Sequence, residues 1–214
     1  MKQKIGICCI LLLFIGIAVV HAGQFKARTG GIVFRGSYWD TNNDWAPIMK
    51  ETQGLDETVY VGGYGGWMDF YSRIDDHLFL QCGLGLASDV MVSDEFLGTR
   101  EVKVKAVTPL VFGVRYDLLA PENITAMQPY GSAGMGPYWE HQIHVIDEFG
   151  ESDQVSVISK MRVGMYFGGG VFFRVSDTFV FNFDMKYHWV DMDTDNDFTG
   201  FELGIGFGFF WGNY

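Results

Sequence analysis

The chain has 214 residues, a formal net charge of −11 and 16% aromatic residues. This acidity excludes nucleic-acid binding through a basic surface, because the phosphate backbone requires the opposite field. Cys8 and Cys9 lie in an apolar N-terminal run, which leaves Cys82 as the single thiol in the rest of the chain. Neither an internal disulfide nor a zinc site built on thiolate pairs can form there.

The N-terminal segment has the features of a secretory signal. Lys2 and Lys4 precede an apolar run over residues 5–20, and Ala22 ends a small-residue cleavage sequence. We therefore predict a signal peptide over residues 1–22 and one domain over residues 23–214. An uncleaved membrane anchor is the alternative, since the apolar run is nearly as long as a membrane helix. No later stretch of the sequence approaches the ~20 apolar residues that a membrane helix needs.

Six segments before residue 179 have the period of two that predicts β-strands. In the first, Ile32 and Phe34 alternate with Val33 and Arg35. The pattern leaves the facing of the second and fifth segments open. The segments lie near residues 32–39, 58–71, 78–86, 102–116, 129–140 and 160–174.

The two closing segments, residues 179–190 and 200–211, show the pattern best. Bulky apolar residues occupy one face, and small or charged residues occupy the other, including Gly204, Gly206 and Gly208. Glycines on a solvated face would weaken a strand with nothing gained, whereas they suit the narrow interior of a closed barrel. The aromatic face then meets lipid. The predicted fold is all-β, an eight-stranded antiparallel up-and-down transmembrane β-barrel. A soluble lipocalin-like carrier with inverted faces is the alternative.

The lengths of the connections support a membrane barrel. Long polar segments at residues 40–57, 88–101, 141–155 and 191–199 alternate with shorter ones, as in barrels with long outer loops and short periplasmic turns. Aromatic residues at the strand ends are predicted to form two interfacial girdles. They are Tyr38, Trp39, Tyr138, Trp139, Tyr187 and Trp189 at the outer end, with His188 between the last two, and Phe209, Phe210 and Trp211 at the opposite end.

Four segments, at residues 108–119, 128–140, 168–189 and 200–211, resemble the small outer-membrane β-barrel domains of the OmpA, OmpX and OmpW kind. This resemblance implies export through a cleaved signal peptide to the outer membrane of a double-membraned bacterium. The partners implied there are outer-membrane lipid, lipopolysaccharide and the barrel-assembly machinery, with the protein as a monomer. Tyr214 is out of phase with Trp211, which leaves the end of the last strand open. The segments read TPLVFGVRYDLL, QPYGSAGMGPYWE, GGGVFFRVSDTFVFNFDMKYHW and GFELGIGFGFFW.

The charged residues on the small-residue face are predicted to form a network inside the barrel. Such a barrel would have a structural or surface-interaction role. Passage of small apolar solutes, as OmpW-like barrels suggest, is the first alternative, and lipid A acylation or deacylation is the second. The second rests on His188, which has no serine placed beside it. The predicted network residues are Arg35, Asp69, Arg115, Arg162, Arg174, Asp184, Lys186 and Glu202.

The long loops are strongly acidic, with 17 of the 26 acidic residues against only Lys50 and Arg100. An acidic mouth favours cations. The last loop has the spacing of a calcium loop, although Asn196 stands where glycine is usual and strands replace the flanking helices. We predict a Ca²⁺ or Mg²⁺ site there, with plain solvation of the loop as the alternative. The predicted ligands are Asp191, Asp193, Asp195, Asp197 and Glu202.

Overall fold

The computed structural model describes residues 28–41, 48–53, 56–94, 100–119, 126–147, 154–190 and 198–212. No helix in this part of the chain is long and apolar enough to cross a membrane. The strands of the described residues are β1 Gly30–Thr41, β2 Ile48–Gln53, β3 Asp56–Arg73, β4 Leu78–Asp94, β5 Arg100–Asp117, β6 Met127–Asp147, β7 Gln154–Arg174, β8 Phe179–Trp189 and β9 Gly200–Trp211.

The strands form one antiparallel sheet that closes on itself. Each strand from β3 to β8 pairs with the next along the chain, and β1 pairs with both β9 and β3. The eight strands β1 and β3 to β9 therefore make a complete barrel, which confirms the predicted topology. The short strand β2 lies in the predicted first long loop and pairs with β3 alone. Closure satisfies the backbone hydrogen bonds internally, as lipid requires.

Alternating burial separates the two faces of the barrel wall. Along β8, every second residue is buried, and β9 follows the same alternation. Lys186 and Glu202 point inwards, whereas Phe183 and Leu203 point outwards and are about half exposed. The outside is therefore apolar and the inside charged, as predicted. A lipocalin-like barrel would need the opposite arrangement, so that alternative is wrong.

The strands differ in length, and the longer ones continue past the barrel. β1, β8 and β9 have 11 or 12 residues, close to the ~9–11 that cross a membrane. β3 to β7 have 17 to 21. Their additional residues pair with one another on the side of the predicted long loops. We call this sheet the outer wall and the space along its inner face the vestibule. The outer wall comprises residues 56–62, 88–94, 100–107, 139–147 and 154–164.

The predicted long loops are consequently shorter than the sequence suggested. Residues 88–94 belong to β4, residues 141–147 belong to β6, and residues 154–155 belong to β7. The sequence predicted loops here because these residues are polar. They still form strands, because the hydrogen bonds between strands are made by the backbone and not by the side chains. Residues 191–197 of the last predicted loop lie outside the described residues.

β3 is irregular where the outer wall leaves the barrel. Its pairing with β4 shifts between Val61 and Tyr64, and Gly63 within this bulge has a φ of 77°. Glycine adopts this left-handed conformation without steric cost. The amide of Gly63 donates a hydrogen bond to Asp89 Oδ1 at 2.5 Å. A carboxylate of β4 thus accepts the bond that a ladder carbonyl would otherwise accept.

Short turns and the residues just before β1 stabilise the end of the barrel opposite the outer wall. β9 ends at Trp211, and Gly212 follows with a φ of 76°. Arg28 donates hydrogen bonds to the carbonyls of Asp177 at 2.9 Å and Gly212 at 3.0 Å. The last strand therefore ends at Trp211, and Tyr214 lies outside the described residues.

Candidate functional site

Arg35 lies at the centre of a buried ion-pair network inside the barrel. Its Nε is 2.8 Å from Asp69 Oδ2, and its Nη1 is 2.8 Å from Asp184 Oδ1. Lys186 Nζ lies 3.9 Å from the same Asp69 oxygen, and Glu202 Oε2 lies 4.0 Å from Arg35 Nη1. All five side chains are 2% exposed or less. These five predicted interior residues, two cations and three carboxylates, are therefore paired with one another away from water.

Glycine makes room for this network. A Cβ atom added to Gly204 would lie 2.4 Å from Asp184 Oδ1 and 2.8 Å from Arg35 Nη1. Both distances are far below normal contact, and both atoms are held by the ion pair. The interpretation that β9 turns its glycines towards a narrow interior is confirmed at this position.

Arg115 forms a second buried centre, on the side of the short turns. Its Nε lies 2.9 Å from Asp117 Oδ1, and its guanidinium carbon lies 3.9 Å from the centroid of the Phe79 ring. Arg174 donates to Gln128 Oε1 at 3.1 and 3.0 Å, and Gln128 donates in turn to Asp117. The sequence indicated the two arginines but not Asp117 or Gln128, because neither stood out in an alternating segment.

Aromatic side chains fill much of the interior, which the sequence did not indicate. Trp39 and Tyr138, both predicted for the outer girdle, point inwards and are 1% and 0% exposed. They occupy the same alternate positions as the interior charges, so the girdle prediction is wrong for them, as it is for the buried Phe210. His188 is buried on the inner face of β8, where the alternation places it beside Lys186. Trp189, Phe209 and Trp211 do lie on the outside. One buried cluster is Trp39, Trp67, Ala87, Val107, Val111, Tyr138, Tyr166, Val190 and Phe198, and the other is Val33, Tyr71, Phe79, Tyr130, Phe172, Val180 and Phe210.

His188 is packed as an interior polar group. Its Nε2 lies 3.0 Å from Glu202 Oε2 and its Nδ1 lies 3.0 Å from the Tyr138 hydroxyl. Its ring centroid is 4.2 Å from that of Trp39 and 5.8 Å from that of Trp67. Both ring nitrogens are thus engaged in the described structure, with a carboxylate and a phenol and not with a serine nucleophile.

A serine and a histidine do meet on the outer wall. Ser159 Oγ lies 3.4 Å from His141 Nδ1, and both side chains are exposed. Glu140, next to His141 in the chain, is buried on the opposite face. The described residues therefore hold no carboxylate on that face in position to orient His141 as the base of a catalytic triad.

Glu202 is the one predicted metal ligand that lies among the described residues. Glu202 is fully buried and contacts His188, because alternate residues of β9 face the interior. No three His, Cys, Asp or Glu side chains among the described residues are placed to hold a metal ion. The four aspartates lie outside the described residues, so a cation site in that loop stays a prediction. They are Asp191, Asp193, Asp195 and Asp197.

The prediction that Arg162 belongs to the buried network is wrong. Arg162 lies opposite Tyr138 and so takes the inner face, but its side chain is exposed. The last pair between β7 and β8 is Met165 with Trp189. Beyond this pair, no strand of the described residues covers the side of β7. Arg162 therefore lies at the open edge of the vestibule.

The closed sheet, its apolar exterior and its ion-paired interior together define a membrane-spanning β-barrel protein. The family model for the outer membrane protein beta-barrel domain matches residues 9–209, and the chain belongs to this family. This membership places the protein in the outer membrane.

Solved structures of two bacterial barrels are similar in fold. OprG from Pseudomonas aeruginosa has a TM-score of 0.53 at 15% sequence identity, with 88% of this chain and 98% of OprG covered. Neisserial surface protein A has a TM-score of 0.43 at 14% identity, with 85% and 97% covered. No curated protein sequence matches this chain. At this level of identity, the likeness to OprG concerns the fold alone.

Proposed function

We propose that the protein is a structural and surface-interaction barrel that works at the outer face of the outer membrane and forms no pore along its axis. The observation that carries this proposal is the packed interior. The network around Arg35 lies between two layers of buried aromatic side chains. An ion on the barrel axis would have to displace charges that are paired at 2.8 Å, and an eight-stranded barrel has no room for it otherwise.

The outer wall supplies the surface for interaction. β6 and β7 have 21 residues each against 11 in β8. The difference corresponds to roughly 30 Å of strand at about 3.3 Å per residue. A sheet of this length raises the acidic loops well clear of the bilayer. The proposal assigns no catalytic role, since both ring nitrogens of His188 are engaged by Glu202 and Tyr138.

The partners that fit this position are outer-membrane lipid and lipopolysaccharide, with the barrel-assembly machinery acting during insertion. Divalent cations would bridge the carboxylates on this side of the barrel to lipid phosphates. Of the 17 acidic residues in the predicted long loops, eight lie in strands and nine lie in the connections between them. Ca²⁺ or Mg²⁺ at residues 191–197 belongs to this part of the proposal, as do cleavage after Ala22 and a monomeric barrel.

Measurement of conductance in planar bilayers tests the absence of a pore. We expect no stable current steps from the refolded protein, whereas a 16-stranded porin in the same bilayer conducts. A stable current that scales with the amount of folded barrel would contradict the proposal. Mobility in SDS with and without boiling confirms that the inserted protein is folded.

A second candidate function is lateral passage of small apolar solutes from the vestibule into the bilayer. Pairing between β4 and β5 stops at Leu84 with Leu110 and resumes at Ala87 with Val107. Pro109 lies in this gap and has no N–H group to donate to a neighbouring strand. The buried side chains at this level include Ala87 and Val107. A gap in the ladder beside apolar side chains would let an apolar solute leave sideways.

Replacing Pro109 tests this second function. We expect Pro109→Val, which restores the donor, to slow the delivery of pyrene into the bilayer of vesicles that carry the barrel. The matched control is Pro129→Val at the opposite end of β6, because Pro129 pairs with Val171 on β7 and its carbonyl accepts a hydrogen bond from the Leu118 amide. Equal rates for both variants and the parent protein would leave lateral passage without support.

A further inference from the structure

The vestibule side of the outer wall holds a cavity lined by hydrogen-bond donors. The cavity measures about 360 Å³, within the range of sites for small molecules. Lys103, Lys105, Gln142, His144 and Ser156 supply its polar lining. None of these residues was predicted as part of a site, because the sequence pattern marked the lysines only as opposing an apolar face.

The strand register brings these groups to one place. Lys105 lies opposite Gln142, Lys103 lies opposite His144, and His144 lies opposite Ser156. Opposed residues of antiparallel strands have Cβ atoms about 4.5–5.5 Å apart, and residues two apart along a strand are about 6.6 Å apart. Two ammonium groups, an imidazole, an amide and a hydroxyl are therefore within reach of one small molecule.

These side chains face the vestibule and not the lipid side of the wall. Glu140 occupies the same alternate face of β6 as Gln142 and His144 and is 0% exposed. Gln142 donates a hydrogen bond to Glu140 Oε1 at 2.5 Å. Ile143 lies between Gln142 and His144 in the chain, faces the opposite side of the wall and is exposed. A ligand in the cavity would thus arrive from outside the cell and not from the bilayer.

Among the described side chains on the inner face of the outer wall, positive groups outnumber carboxylates. Asp89 interacts electrostatically with Lys105 across β4 and β5. Adjacent like charges on neighbouring strands repel one another. A bound anion would relieve this repulsion. The positive side chains are Lys103, Lys105, Lys160 and Arg162, and the carboxylates are those of Asp89 and Glu140.

We propose that the cavity binds a small soluble organic anion through its phosphate group. Lysine is a common binder of phosphate as a point charge, and a tetrahedral phosphate offers oxygens in several directions to donors that come from three strands. A planar carboxylate would meet fewer of them. The inference rests on the proposed surface-interaction function and specifies the ligand class for it.

Calorimetric titration of the full-length protein, folded in non-ionic detergent, tests the site with glucose 6-phosphate as the probe. We expect saturable binding that weakens roughly tenfold in Lys103→Met, since a charge-assisted hydrogen bond is lost. Lys103→Arg keeps the charge and should bind nearly as the parent does. The matched control is Arg28→Met, which removes one positive charge at the opposite end of the barrel.

The outcomes separate the alternatives. Failure of glucose 6-phosphate to bind, or equal weakening in Lys103→Met and Arg28→Met, would overturn the site. A second titration uses mixed micelles that contain lipid A. If the protein bound lipid A but not glucose 6-phosphate, the proposal that the ligand is a soluble compound would be wrong. The conductance measurement is independent of these titrations. If the barrel conducted ions but still bound glucose 6-phosphate through Lys103, the proposal of a pore-free interior would be wrong and the proposed binding site would stand.

Discussion

Replacement of Arg35 by Met removes the central cation of the interior network with little change in side-chain length. It leaves Asp69 and Asp184, at 0 and 1% exposure, without the guanidinium nitrogens that were 2.8 Å away. Removing one partner of a buried ion pair typically costs about 3–5 kcal/mol. Lys186 Nζ, 3.9 Å from Asp69, compensates in part. Two carboxylates lose their partner at once, so we still expect a loss of about 3–5 kcal/mol in the free energy of unfolding.

Urea unfolding in phospholipid vesicles, followed by tryptophan fluorescence, measures this loss. The matched control is Arg162→Met, whose exposed side chain predicts a change within about 0.5 kcal/mol. Combining Arg35→Met with Asp69→Asn and Asp184→Asn should recover part of the stability, because no buried charge then lacks a partner. If Arg35→Met cost no more than Arg162→Met, the network would not stabilise the barrel.

Three further changes test other parts of the interior and the last loop. Arg115→Met should lower the free energy of unfolding by roughly 2–4 kcal/mol, since Asp117 loses its partner at 2.9 Å and the aromatic layer loses a cation; an unchanged urea midpoint would contradict this. Gly204→Ala should lower the free energy of unfolding by about 1–3 kcal/mol, because the added methyl group overpacks against Asp184. An unchanged free energy of unfolding would show that the interior side chains can rearrange to accommodate it. Ca²⁺ should raise the thermal midpoint of the parent protein but not of Asp193→Asn/Asp195→Asn, and an equal response of both would leave the loop merely solvated.

The candidate site could be predicted only in part. The alternation in the last two strands correctly assigned Asp184, Lys186 and Glu202 to the interior, because a period of two separates the faces of any strand. The alternation in β1 also puts Trp39 on the face of Arg35, but its place near a strand end favoured a lipid interface instead. Tyr138 lies in the fifth segment, whose facing the pattern left open, so only the register with neighbouring strands placed it inside.

Arg162 illustrates a different reason for a wrong prediction. Its phase was read correctly, since it lies opposite the buried Tyr138. Its burial depended on β8, a separate strand that ends at Trp189. The sequence around Arg162 contains no information about the length of that neighbour. The lysines of the vestibule were overlooked for the same reason, because their site requires residues of β5, β6 and β7 in register.

The sequence by itself determined the closed barrel and its apolar exterior. These properties follow from local alternation and from the rule that lipid tolerates no unpaired strand edge. The tertiary structure decided which charges meet, since Arg35 binds carboxylates 34 and 149 residues away. It also decided how far the wall rises above the barrel and what its inner face presents. Those features arise from strand register and from unequal strand lengths, which no single segment of the chain specifies.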